Sequence, residues 1–171
     1  MTDHTPGLTP FIWFNDQARE AADFYLELFD DAEEVSQQCF GDECPPHAKP
    51  GDVFSVSFRL RDQLFTAFNG GPTYELTPAL SWMLYCDDQR EIDHYWHAFA
   101  EQGQPMMCGW VTDRFNVTWQ VVPRKLSEML DSPDKAAAHR TWQAMMDMQK
   151  IELVLLEAEV DDEAEFAAVD I

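Results

Sequence analysis

The residues best equipped for chemistry gather between Cys108 and Pro123, in the run Cys-Gly-Trp-Val-Thr-Asp-Arg-Phe-Asn-Val-Thr-Trp-Gln-Val-Val-Pro. Cys108, Trp110 and Gln120 bring a thiol, an indole and a primary amide into one short hairpin. A thiol can act as a base or nucleophile once ionised. An indole face holds apolar ligand surface, and an amide can orient a polar ligand group. Cys108 is the catalytic candidate of this stretch, yet no His lies beside it in sequence to activate it. The other role for a free Cys is a small apolar filler, and Cys86, ending an apolar strand, reads that way. His94 and His97 stand three apart near Asp93 and Glu101, a spacing that could chelate a metal. They flank the apolar stripe Ile92, Tyr95, Trp96 and Phe99, which turns them towards water. Cys39, Cys44 and His47 make half a zinc knuckle with no second half. Asp113 and Arg114 are expected to set the hairpin turn and to pair with each other.

The elements that must position these groups are legible from period and punctuation. Val117, Trp119 and Val121 alternate with Thr118, Gln120 and Val122 after a turn at Asp113 to Asn116, the rhythm of a strand. Earlier in the chain, Leu8 to Phe14 reads as a strand, with Pro10 near its start. Asn15-Asp16 then breaks it before a helix over Gln17 to Phe29, carried by Ala18, Ala21, Ala22, Tyr25, Leu28 and Phe29. Ala32 to Phe40 is weakly strand-like, and 41–51, with three prolines and two glycines, is a loop. Val53 to Leu60 and Gln63 to Phe68 form a hairpin closed by Asn69-Gly70-Gly71-Pro72.

The pattern then restarts. Ala79 to Cys86 is an apolar strand, and Gln89 to Gln102 is a helix stopped by Gly103. Shifted by 71 positions, Asp16 meets Asp87, Arg19 meets Arg90, Glu20 meets Glu91, and Phe24-Tyr25 meets Tyr95-Trp96. A strand, a helix and several antiparallel strands occur twice, which is an internal repeat. Two such units would bury their open sheet faces by curving around each other, leaving a concave pocket. Beyond Pro123 the plan changes. A short helix over Arg124 to Leu130 is followed by a longer one from Lys135 to Lys150, with Pro133 near its start. Ile151 to Leu156 fits a strand or a helix extension. Residues 157–171 are an acidic tail, frayed from Asp161 onward.

The 171 residues, 46% apolar, suffice for one packed domain spanning 1–171. Thirty-two acidic residues against 11 basic ones give a net charge of −21. Such a field repels nucleic acid and anionic membranes and reads as a solvated acidic surface. No run approaches the length of a membrane span. The start, Met-Thr-Asp-His-Thr-Pro, has no basic end followed by an apolar stretch, so a cytoplasmic chain with reduced thiols is expected.

Taken together, these motifs resemble the vicinal-oxygen-chelate superfamily, the glyoxalase and bleomycin-resistance group, and within it the PhnB-like (3-demethylubiquinone-9 3-methyltransferase-like) branch. The resemblance rests on Pro10 to Phe14 before a helix containing Glu20-Ala21 and Phe24-Tyr25, and on Phe68-Asn69-Gly70-Gly71-Pro72. It continues through Asp87-Asp88-Gln89, Asp93 and Tyr95-Trp96 to Cys108-Gly109-Trp110 and Asp113-Arg114-Phe115-Asn116. Trp119 to Pro123 and Gln143 to Met146 complete it, so that it covers about residues 8 to 156. It implies an α+β fold of two βαβββ modules, 8–72 and 79–123, forming a glyoxalase-like cupped sheet, with C-terminal helices over 124–156 and usually a homodimer. Metal-using members carry ligands on the first and last strands of the modules. That pattern falls here near Pro10, Ala67, Leu80-Ser81 and Gln120, whose side chains are unsuited to a divalent ion. The resemblance therefore implies no metal centre and no cofactor here. The methyltransferase label has no strand, Gly-rich turn and helix behind it: Gly70-Gly71 runs into Pro72.

The expected pocket is lined by Trp13, Phe68, Trp82, Trp110 and Trp119. Strand alternation sends about half of such residues to the helix side instead. Asn69 and Gln120 are the polar groups for orienting a ligand, with Cys108 beside them. Two functions follow. One is a protein that binds or sequesters a small, partly apolar molecule. The other is a metal-independent enzyme using Cys108 or a carboxylate as base, or a methyltransferase-like activity.

Overall fold

The structure is a computed structural model in which residues 7–161 are described. The sequence-expected lead-in before Gly7 and most of the acidic tail lie outside the described residues. The chain divides after Leu76 into two compact units.

The first unit runs β1 (Phe11–Phe14), α1 (Ala18–Leu28), β2 (Glu33–Cys39), β3 (Val53–Leu60) and β4 (Gln63–Asn69). Its sheet has the order β1-β4-β3-β2, with β1 parallel to β4 and the other pairs antiparallel. Helix α1 covers one face because its stripe of Ala18, Ala21, Ala22, Tyr25 and Leu28 is buried against Ile12, Phe14, Val56, Phe58 and Ala67. Rings of the size of Tyr25 and Phe58 each stabilise by about 1.5–3 kcal/mol when fully buried. The edge strand β2 is exposed at all seven residues and carries two register shifts against β3. One of them skips Phe54 and turns its ring to the face away from α1, where it meets Phe68.

The second unit repeats the plan with β5 (Trp82–Cys86), α2 (Gln89–Ala100), β6 (Gln104–Pro105), β7 (Trp110–Thr112) and β8 (Thr118–Pro123). Its sheet order is β5-β8-β7-β6, with β5 parallel to β8. This is the first unit's topology advanced by four strands, and it bears out the 71-residue repeat and the two βαβββ modules of an α+β chain. Ile92, Tyr95, Trp96 and Phe99 of α2 are buried, as their spacing requires. The two helices start differently. Asp88 caps α2 by accepting from Glu91 N at 2.8 Å. Gln17 provides no side-chain cap for α1, and that end is served instead by Asn69, whose Oδ1 accepts from Ala18 N at 2.8 Å.

The C-terminal region forms α3 (Leu126–Leu130), α4 (Lys135–Met146) and α5 (Leu153–Asp161). Helix α4 ends four residues before the expected Lys150, and α5 resolves the strand-or-helix ambiguity as helix. The tail expected from residue 157 thus begins inside α5. Between the two helices, the carbonyls of Met148 and Gln149 accept from Cys108 N and Gly109 N at 2.7 and 2.8 Å. Both ends of the Gln89 side chain hold the same arm, to Ile151 O and Leu153 N. Lys150 forms ion pairs with Asp93 and Glu152. Among the described residues, no helix is long and apolar enough to cross a membrane.

Candidate functional site

In the first module, parity along the strands puts Phe11 and Trp13 of β1 and Phe68 of β4 on the face that α1 leaves open. Their rings form a chain. Phe68 stands 5.1 Å from Phe11, 5.0 Å from Trp13 and 5.1 Å from Phe54. Trp13 continues it to Tyr74 at 5.0 Å, and Phe54 to Phe40 at 5.1 Å. Most of these contacts are edge-on, the arrangement that the ring quadrupole favours. The chain is not sealed: Phe11 is 61% and Tyr74 66% exposed. The Gly-Gly pair is what seats Trp13. Its indole Nε1 donates to Gly71 O at 2.9 Å, and a Cβ on Gly70 would lie 2.2 Å from the indole ring. Trp13 and Phe68 therefore both lie on the face away from α1.

Asn69 does not. It pairs with Phe14, on the helix side, and is 8% exposed. Its Oδ1 is taken by Ala18 N, and its Nδ2 donates to Val53 O at 3.0 Å. Both ends of the amide are spent on the fold, so Asn69 holds α1 to β3 instead of orienting a molecule on the aromatic face. It borders a separate small cavity of about 230 Å³, lined also by Arg19, Phe40, His47 and Asp52.

In the second module, the register decides between the tryptophans. Trp82 pairs with Trp119, and Trp110 pairs with Gln120. Trp119 is 3% exposed, stacks on Phe99 of α2 with centroids 4.7 Å apart, and donates Nε1 to Asp113 Oδ2 at 2.9 Å. Trp119 is thus a core residue under the helix. Trp82, two residues before buried Leu84, shares that face, so neither ring lies on the open side with Trp110. Trp110 and Gln120 lie together on the opposite face, and Gln120 Nε2 donates to Ser81 Oγ at 2.7 Å.

Asp113 sets the hairpin turn, as expected, but from a buried position. Its carboxylate is 2% exposed and accepts from Phe115 N, Val117 N and Trp119 Nε1. It organises the turn from within, while Arg114 lies over the Phe115 ring. Asp113 and Asn116 pointed to a turn, but no local signal showed that the acid would face inward.

Cys108 is not on a strand. It sits in a tight turn whose Trp110 N donates to Met107 O at 3.1 Å, with φ of 60° at Cys108 and 78° at Gly109. Positive φ at both central positions is the geometry of a type I′ turn, unusual for Cys. Burial pushes the Cys108 thiol above its ordinary pKa, and its Sγ lies 3.4 Å from Met146 Sδ. A thiol held in its protonated form and set against a thioether is a poor general base.

The positions where the superfamily holds its ion do not fit one. Ala67 offers a buried methyl, the Pro10 carbonyl accepts from Thr66 N, and Ser81 and Gln120 bond each other. Among the described residues, no group of three or more His, Cys, Asp or Glu is placed to hold an ion.

Residues 6–122 match the family model described as 3-demethylubiquinone-9 3-methyltransferase. The chain belongs to this family. Among solved structures, it is similar to the PhnB protein from Bacillus cereus, at 31% identity over 68% of this chain and 99% of that one, with a TM-score of 0.62. A Pseudomonas aeruginosa protein is 26% identical over 70% of this chain and 97% of that one, with a TM-score of 0.58. The fosfomycin resistance protein FosX from Mesorhizobium loti shares the fold at 18% identity, covering 77% and 100% of the two chains, with a TM-score of 0.50. The PhnB protein and FosX are vicinal-oxygen-chelate proteins, and the fold is glyoxalase-like. No curated protein matches the sequence. The family model stops at residue 122, so α3, α4 and α5 lie beyond it.

Proposed function

We propose that this family member is a cytoplasmic, homodimeric protein that binds a small, partly apolar molecule without the superfamily's metal centre. The observation that carries the reading is the uncovered chain of rings on the first module, with Trp13 and Phe68 at its middle. Aromatic surface left open on a sheet costs solvation, and it is the surface a planar or apolar ligand would cover. Trp110 and Gln120, paired on the open face of the second sheet, offer an indole beside an amide, the same combination of apolar area and one polar handle.

The test is a thermal-shift screen of small aromatic and phosphonate compounds, followed by calorimetry on any that raise Tm. Binding to the native protein, lost in Trp13→Ala and Phe68→Ala but kept in Trp82→Phe, supports the reading. Hits that bind equally well to the Trp13→Ala and Phe68→Ala proteins refute it, and sustained conversion of a hit to product favours an enzyme instead. Light scattering checks the dimer: a monomer mass at tens of micromolar removes that part.

A further inference from the structure

Asn69-Gly70 is the one place in the sequence where glycine follows an asparagine; Asn15 precedes Asp16, and Asn116 precedes Val117. In an unfolded chain that pair is chemically labile. Glycine puts no side chain in the way of its own amide nitrogen as it turns onto the asparagine carboxamide, and its backbone rotates freely. The fold nevertheless requires both residues. Gly70 has no room for a side chain, since a Cβ would lie 2.2 Å from the Trp13 ring. Asn69 uses both ends of a neutral amide: Oδ1 accepts from Ala18 N at 2.8 Å, and Nδ2 donates to Val53 O at 3.0 Å.

The same contacts guard the pair. Asn69 is buried at the end of β4, and Gly70 N is bonded to Phe14 O at 2.9 Å. The geometry points to a latent modification site: we propose that the folded corner of the first module keeps Asn69 intact, and that Asn69 converts to aspartate and isoaspartate once the corner opens, after which the corner cannot re-form. In the step, Gly70 N forms a bond to Asn69 Cγ and the Cγ–Nδ2 bond breaks. The Gly70 amide proton leaves with Nδ2 as ammonia. Water then opens the five-membered imide at either carbonyl, so no oxidant or further reactant is needed. Closing the ring turns Cγ onto Gly70 N, which breaks the bonds to Ala18, Val53 and Phe14 together. Neither product fits the corner. Aspartate keeps an acceptor for Ala18 N but sets a carboxylate oxygen against Val53 O, where a donor stood. Isoaspartate adds a carbon to the main chain. That displaces the Gly70–Phe14 bond and the Gly71 carbonyl that holds the Trp13 indole. The inference stands apart from any ligand on the aromatic face.

The test incubates the full-length protein at mildly alkaline pH in guanidinium chloride, from none to beyond the unfolding midpoint. Peptide mass and isoaspartate-specific carboxyl methylation read Asn69, with Asn15 and Asn116 as internal controls. Conversion at Asn69 should track the unfolded fraction and be at least about a hundredfold slower in native buffer. Freshly unfolded chains diluted from denaturant should recover the native near-UV circular dichroism and Tm, and aged chains modified at Asn69 should not. Asn69→Asp, made directly, supplies one product without any ageing and should melt below the native protein. Equal conversion rates in the native and unfolded states, an unfolded chain no more reactive at Asn69 than at Asn15 and Asn116, aged chains that regain the native Tm, or an unchanged Tm in Asn69→Asp would each overturn the proposal.

Discussion

Replacing Asp113 with alanine should come close to unfolding the second module. The carboxylate is almost wholly buried and satisfies two backbone amides and one indole N–H, at 2.9, 3.1 and 2.9 Å. Each donor left without a partner away from water costs about 1–3 kcal/mol. Three together come to about 4–6 kcal/mol after partial relaxation, comparable with the whole stability of a small domain. Asp113→Asn separates the contributions. Its oxygen can still accept from Phe115 N and Val117 N, but its amide group then faces the Trp119 N–H, donor against donor. That substitution should cost about 1.5–3 kcal/mol, the worth of one bond to a charged group. Urea unfolding followed by far-UV circular dichroism measures both, comparing midpoints at unchanged slope. An alanine variant within about 1 kcal/mol of the native protein, or an asparagine variant as damaged as the alanine one, would refute this account of the turn.

Three further outcomes are expected. Gly70→Ala forces Trp13 out of its seat, because the added carbon has no room against the indole; Tm should fall by the equivalent of about 1–3 kcal/mol, and binding on the aromatic face should weaken with it. The Lys150 and Gln89 hydrogen bonds hold the Asp93 carboxyl below its ordinary pKa, so its contribution is present above the unfolded value, about 3.9, and is lost as pH falls through the folded value. Melting of native protein and Asp93→Asn should therefore differ at pH 7 and converge in acid, and a gap that persists at pH 2 would contradict it. With a net charge of −21, self-repulsion is screened as the Debye length shortens from about 10 Å at 0.1 M to about 3 Å at 1 M salt, so Tm should rise over that range, as differential scanning calorimetry can check.

The duplicated plan was legible because α1 and α2 each show a stripe at helical spacing and each sheet begins with an apolar strand. The faces were harder. Alternation in β8 tells that Trp119 and Gln120 point oppositely, but only the pairing with α2 tells which of them is covered. Asn69 looked like a ligand group because it is a polar side chain among the expected pocket residues. Its role as the cap of α1 depends on a partner 51 residues away, beyond the reach of local reading. Cys108 was misplaced for the same kind of reason: a positive φ at cysteine has no sequence signal, and the carbonyls that support it come from Met148 and Gln149. Beyond Met146, where α4 ends, the carbonyls of Met148 and Gln149 are turned to the Cys108–Gly109 amides instead of continuing the spiral.

That borrowed support limits where the gene can be cut. A protein shortened to the boundary its relatives suggest would lose the backbone acceptors of the Cys108–Gly109 corner and the plug that Ile151 sets against Gly109. The C-terminal helices are thus part of how this corner is held, and grafting them onto a shorter relative would require the matching glutamine and aspartate on its second helix.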